Sequence, residues 1–101
     1  MAARLAAYQT ALTRLPPVTQ TLFRLHRERE LSYHEIAVRV AIDARAVEGA
    51  VAEALYMLMA ITRGEEPCRM VDRHLSVAET ILDRRHADDI GFYLQTLLTD
   101  A

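Results

Sequence analysis

Hydrophobic and polar positions alternate with helical spacing along most of the chain, and the clearest run lies between Leu31 and Leu58, LSYHEIAVRVAIDARAVEGAVAEALYML. Ile36, Ala37 and Val40 recur on one face of a short helix. Ser32 and Glu35 stand at the spacing of a capping box at its start. Ala41 and Ile42 form a corner. Asp43 is a second N-cap candidate, because its side-chain oxygen can accept free backbone N–H groups of the next helix. Val47, Val51, Ala54, Leu55 and Leu58 then follow at helical spacing and predict one buried side. A short helix, a tight turn and a longer helix make a helix-turn-helix pattern, whose second helix normally lies in the DNA major groove.

The flanking stretches predict more helices. Met1 to Arg14 carries Leu5, Tyr8 and Leu12 on one stripe. Pro16 and Pro17 break that pattern, and Pro17 suits the first turn of a helix to about Arg29, since proline's missing N–H costs little there. Val18, Leu22, Phe23 and Leu25 supply its buried face. Arg24, Arg27 and Arg29 are candidates for a cationic surface, but interleaved with Glu28 and Glu30 they more often make a solvated face. The long helix should run to about Thr62. Its end, with Tyr56, Met57, Leu58, Met59 and Ile61, is too apolar for cover on one side only. Gly64 ends it. Beyond the short link Glu65 to Pro67, a helix is expected from about Cys68 to Arg85, with a break near Ser76, where Ser76 and Glu79 have capping-box spacing. A last helix is expected from about Ala87 to Thr99, with Asp88 and Asp89 in its first turn.

Composition agrees with an all-α chain. The 101 residues suggest one domain, half of them hydrophobic, with few Gly and Pro and no Trp. All 12 fixed side-chain cations are Arg, a pattern that a G+C-rich coding bias produces. One cysteine, Cys68, excludes an internal disulfide and a cysteine-rich zinc site. No signal peptide pattern and no run of roughly 20 apolar residues is present, so a cytoplasmic protein without a membrane partner is expected. Net charge is −2, unlike a strongly electrostatic nucleic-acid binder. Residues 1–64 carry eight Arg against six acids, and residues 65–101 four Arg against eight acids. The helix-turn-helix half is weakly basic and the tail acidic.

With the preceding LTRLPPVTQTLFRLHRERELSYHEIA, the helix-turn-helix resembles region four, the C-terminal promoter-recognition domain, of bacterial extracytoplasmic-function sigma factors. The likeness rests on LPP at 15–17, LFRLHRE at 22–28, LSYHEIA at 31–37 and AVE…AL at 46–55, and covers about residues 10–62. It implies a sigma region-four-like helix-turn-helix bundle over residues 1–64. Residues 65–101 are then an acidic two-helix extension, packed on that bundle or on a partner. Nothing in the chain resembles the part of a sigma factor that melts the −10 element, so a stand-alone region four is expected. Ala41 departs from the family, which usually has glycine in this corner.

The resemblance implies DNA contacts from the second helix, where the outward positions are expected to be Glu48, Gly49, Ala50, Ala52 and Glu53. These are poor in groups that read bases: a bidentate base contact gives about 1–3 kcal/mol of discrimination, and only Arg45 is placed to make one. Arg39, Tyr33 and His34 are candidates for the phosphate backbone, which positions a protein without reading sequence. Gly49 and Ala50 complete the candidate DNA-binding set. Gly49 also costs the helix up to ~1 kcal/mol relative to Ala, with no return visible in the sequence.

Catalysis has little support, and no enzyme or cofactor is expected. His34-Glu35 resembles the opening of a zincin motif, but Val38 follows and no second His stands at the right place. His26, His34, His74 and His86 share no i, i+4 spacing, and no Gly-rich phosphate loop exists. Protein contact is the remaining class. The apolar Met57–Met59 stripe and last helix either complete one core or dock on a second copy or another protein. The resemblance implies RNA polymerase core as a partner and anti-sigma proteins as a further class. Three readings follow. The first is a sigma-type transcription regulator at promoter DNA. The second is a degenerate relative used for protein contact, including a homodimer. In the third, the acidic tail covers the second helix and is displaced by a partner.

Overall fold

The computed structural model describes residues 2–99, and the part of the first expected helix at Met1 lies outside them. Six helices follow one another: α1 (Ala2–Leu12), α2 (Pro17–Glu28), α3 (Tyr33–Val40), α4 (Ala44–Thr62), α5 (Arg73–Arg85) and α6 (Ile90–Thr99). The described residues contain no strand, and the fold is all-α. None of these helices is long and apolar enough to cross a membrane.

Local chemistry accounts for most of the boundaries. Pro17 opens α2 where its missing N–H is harmless. Glu30 at φ 56° ends it, and the Leu31 N–H reaches back to the Leu25 carbonyl. Arg63 closes α4, and Gly64 at φ 77° turns the chain away. Two expected boundaries are corrected. Residues 68–72 are not helical, and α5 starts at Arg73 because Asp72 caps it, its Oδ1 accepting the Leu75 N–H at 2.7 Å. Ser76 lies inside α5, its N–H bonded to the Asp72 carbonyl, so the Ser76–Glu79 capping box does not form. Asp88 and Asp89 belong to a turn before α6, which begins at Ile90.

Two groups of buried side chains hold the helices together. One joins Leu22 and Leu25 of α2, Ile36 and Val40 of α3 and Val47 and Ala50 of α4 to Leu75 and Leu82 of α5 and Leu94, Leu97 and Leu98 of α6. The other joins Leu12, Leu15 and Phe23 to Val51, Ala54 and Met57. The five leucines of α5 and α6 therefore complete the core of the helix-turn-helix. At about 2 kcal/mol for each buried leucine, they represent on the order of 10 kcal/mol of hydrophobic stabilisation. That is an upper figure, but it is comparable with the whole stability of a small domain. Leu55 departs from the expected buried side: it is 45% exposed, whereas Leu12 and Val51 are buried.

Candidate nucleic-acid interface

The helix-turn-helix is built by three local devices. Ser32 Oγ accepts the Glu35 N–H at 3.1 Å, and Glu35 Oε1 accepts the Ser32 N–H at 2.9 Å, so the capping box forms as its spacing predicts. The bond from the Ser32 backbone, with that from its side chain, holds the Glu35 carboxyl below its ordinary value. Ala41 closes α3 in the left-handed conformation, φ 59° and ψ 54°, with its own N–H and that of Ile42 on the Ala37 carbonyl. Asp43 then caps α4, its Oδ1 accepting the Arg45 N–H at 2.8 Å.

The candidate DNA-binding residues divide between surface and interior. Arg39, His34 and Arg45 are exposed. Arg45 is folded onto its own cap, with Nη2 3.1 Å from Asp43 Oδ2. That side-chain bond to Arg45 draws the Asp43 carboxyl below its ordinary value. Tyr33 is half-buried, its ring 4.8 Å from that of His26. Gly49 and Ala50 are buried, as is Glu53, and the outward placement expected for these three is corrected. The reason is that α4 is covered on a second side. Its inner residues face α2 and α3, and the segment from Arg69 into α5 lies along Gly49 and Glu53. Glu48 and Ala52 remain exposed.

This second cover is polar as well as apolar. Glu53 is 1% exposed, and its Oε1 accepts from Thr19 Oγ1 at 3.1 Å and from Arg69 Nε at 3.0 Å. Arg69 Nη2 also donates to Glu79 at 2.9 Å. A buried carboxylate is tolerated only when it is paired in this way. At the other end of α5, Arg85 Nη1 donates to the Val40 and Ala41 carbonyls, at 3.2 and 2.8 Å, and so ties α5 to the corner of the helix-turn-helix. The sequence gives no spacing rule for these long-range pairs. Gly49, a helix-interior glycine with no local return, was the visible signal that something approaches α4 closely there.

Charge at this face is mixed. A groove beside Arg45 is lined by Asp43, Ile42, Arg73 and His74, so α5 adds one cation, Arg73, that the sequence pattern did not single out. Arg39, Arg45 and Arg73 stand against Asp43, Glu48 and Asp72. Such a face can meet phosphates at a few points but has no strong positive field. Farther along α4 the exposed positions are apolar, with Leu55, Tyr56 and Met59 each about half exposed. No group of three or more His, Cys, Asp or Glu among the described residues could hold a metal ion.

The family model described as Sigma-70, region 4 matches residues 5–58, which contain the whole of α2, α3 and the corner before α4. Comparisons with curated proteins and with solved structures return no match.

Proposed function

This chain belongs to the sigma-70 region 4 family, a helix-turn-helix family of DNA-binding domains, and from that premise we propose that it is a transcription regulator of sigma-factor type, similar to the extracytoplasmic-function group, that meets promoter DNA while held by RNA polymerase core. The observation that carries this reading is the intact helix-turn-helix: both caps, the left-handed corner at Ala41 and the exposed Arg45 in the first turn of α4 are in place. Arg39, Arg45 and Arg73 contact phosphates, with His34 and Tyr33 beside them. Buried Gly49 and Ala50 contribute by shaping α4. With Glu48 and Ala52 outermost, base reading is slight, and polymerase supplies the placement that the chain's own contacts do not.

The extension acts in this reading as a fixed part of the domain. Swinging residues 65–101 away would expose the leucines of α5 and α6 and leave Glu53 without Arg69. A cover removed at that cost does not serve as a switch.

A pull-down of RNA polymerase core with the intact chain, followed by promoter retention with and without the polymerase, tests the proposal. Retention that requires both proteins supports it. No association with the polymerase contradicts it. A second reading, protein contact with little DNA affinity, is favoured by the half-exposed Leu55, Tyr56 and Met59 on α4. An anti-sigma-type protein is one partner that such a surface fits.

A further inference from the structure

The exposed side of α4 is a single line. At about 100° per residue, Arg45, Glu48, Ala52, Leu55, Tyr56, Met59 and the capping Arg63 fall within an arc of roughly 100°. The other side of the helix carries Val47, Ala50, Val51, Ala54 and Met57, all buried. Leu55, Tyr56 and Met59, within one turn and a half of this line, are 45%, 48% and 52% exposed. Glu48 and Arg63 lie at the two ends of this apolar centre. Both are exposed, and neither side chain makes an ion pair or hydrogen bond among the described residues.

When the helix is reversed, each residue of this line meets its complement: negative meets positive and small meets large. Take the point midway between Leu55 and Tyr56. Ala52 and Met59 are equally far from it, and so are Glu48 and Arg63, about 11 Å along the axis. We propose that α4 pairs antiparallel with α4 of a second copy of this chain, setting Glu48 against the second copy's Arg63 and Arg63 against its Glu48. The small Ala52 then faces the long Met59, and Leu55 faces Tyr56, so that bulk meets space on both sides of the two-fold axis. An isologous contact needs one self-complementary patch, and this line is one. A single helix pair offers less area than the ~1,200–2,000 Å² of a standard interface, so the dimer is weak and concentration-dependent. It covers Arg45 and Glu48, and therefore excludes DNA from the same helix. The inference rests on the outer line of α4 alone and holds whether or not the monomer binds DNA.

Sedimentation equilibrium of the intact chain across a wide concentration range tests it, with Glu48→Arg, Arg63→Glu and the double exchange. Circular dichroism checks that these exposed substitutions leave the fold unchanged. The native chain should dimerise reversibly. Each single exchange turns both symmetry-related pairs from attraction to repulsion and should weaken the dimer about tenfold. The double exchange should restore it. Ala52→Glu, placed opposite Met59, should abolish pairing without touching the charge pair. A native chain that stays monomeric up to about 1 mM overturns the proposal. So do single exchanges without effect, or a double exchange that fails to restore pairing.

Discussion

Gly49 of α4 meets the Asp72 carboxylate at the start of α5 so closely that a Cβ on Gly49 would lie 2.5 Å from Asp72 Oδ2 and 2.8 Å from its Cγ. The carboxylate is held in place, because it caps α5 through the Leu75 N–H. Gly49→Ala gains up to ~1 kcal/mol of helix propensity but must push the cap aside. The three atoms nearest that Cβ all belong to the exposed Asp72 carboxylate, so the clash is relieved by displacing the cap, at about 1 kcal/mol. We therefore expect Gly49→Ala to leave stability in urea unfolding nearly unchanged, against the stabilising trend for exposed helix glycines. In an Asp72→Ala background, where the cap and its carboxylate are already gone, the same substitution should stabilise the chain by up to ~1 kcal/mol.

Ala41 holds a left-handed conformation that glycine adopts without a Cβ penalty. Ala41→Gly should stabilise the chain by up to about 1 kcal/mol, even though glycine costs more entropy in the unfolded state. In thermal unfolding this is a rise of a few degrees, from the ~4–8 °C per kcal/mol typical of a domain this size. A fall in the midpoint would show that Ala41 is unstrained.

The pair Glu53–Arg69 is the polar joint between α4 and the segment that follows it. Arg69→Ala leaves a buried carboxylate with Thr19 alone and should cost about 2 kcal/mol. The same substitution in a Glu53→Gln background should cost clearly less, because no charge is then stranded. Equal costs in the two backgrounds, measured by denaturant unfolding, would remove the joint from the account.

The caps of the helix-turn-helix make stability fall in acid. Glu35 and Asp43 both have folded values below their ordinary 4.5 and 3.8. A lowered folded pKa gives stability that is fully present above the unfolded value and is lost as pH falls through the folded one. Stability should therefore decline from about pH 4.5 downward. Ser32→Ala removes the capping box, should cost about 1 kcal/mol at neutral pH, and should flatten the Glu35 part of the acid slope. An unchanged slope in thermal midpoints between pH 5 and 3 would contradict this assignment.

The local features of this fold were readable in the residues that make them. Ser32 with Glu35, Asp43, Pro17 and Gly64 mark caps and ends through bonds that span at most a few residues, and all four act where their spacing places them. The start of α5 was misread because two acceptors compete there: Ser76 has the box spacing, but Asp72 reaches the backbone first. Which side of α4 faces out was misread for another reason. Periodicity shows that a helix has an apolar face, but not that a polar joint such as Glu53–Arg69 buries a second one. Leu55, spaced for the core, is left outside, and Arg73 joins the Arg45 groove only through the packing of α5.

The most direct measurement is the affinity of the intact chain for generic and promoter duplexes, read by fluorescence anisotropy over a range of salt. Arg39, Arg45 and Arg73 can neutralise about three phosphates, so log K should fall with log salt at a slope near −3. Binding should be weak, nearly indifferent to sequence and lost at moderate salt when polymerase is absent. Tight binding to one sequence that survives moderate salt would mean that the outer face of α4 reads bases after all.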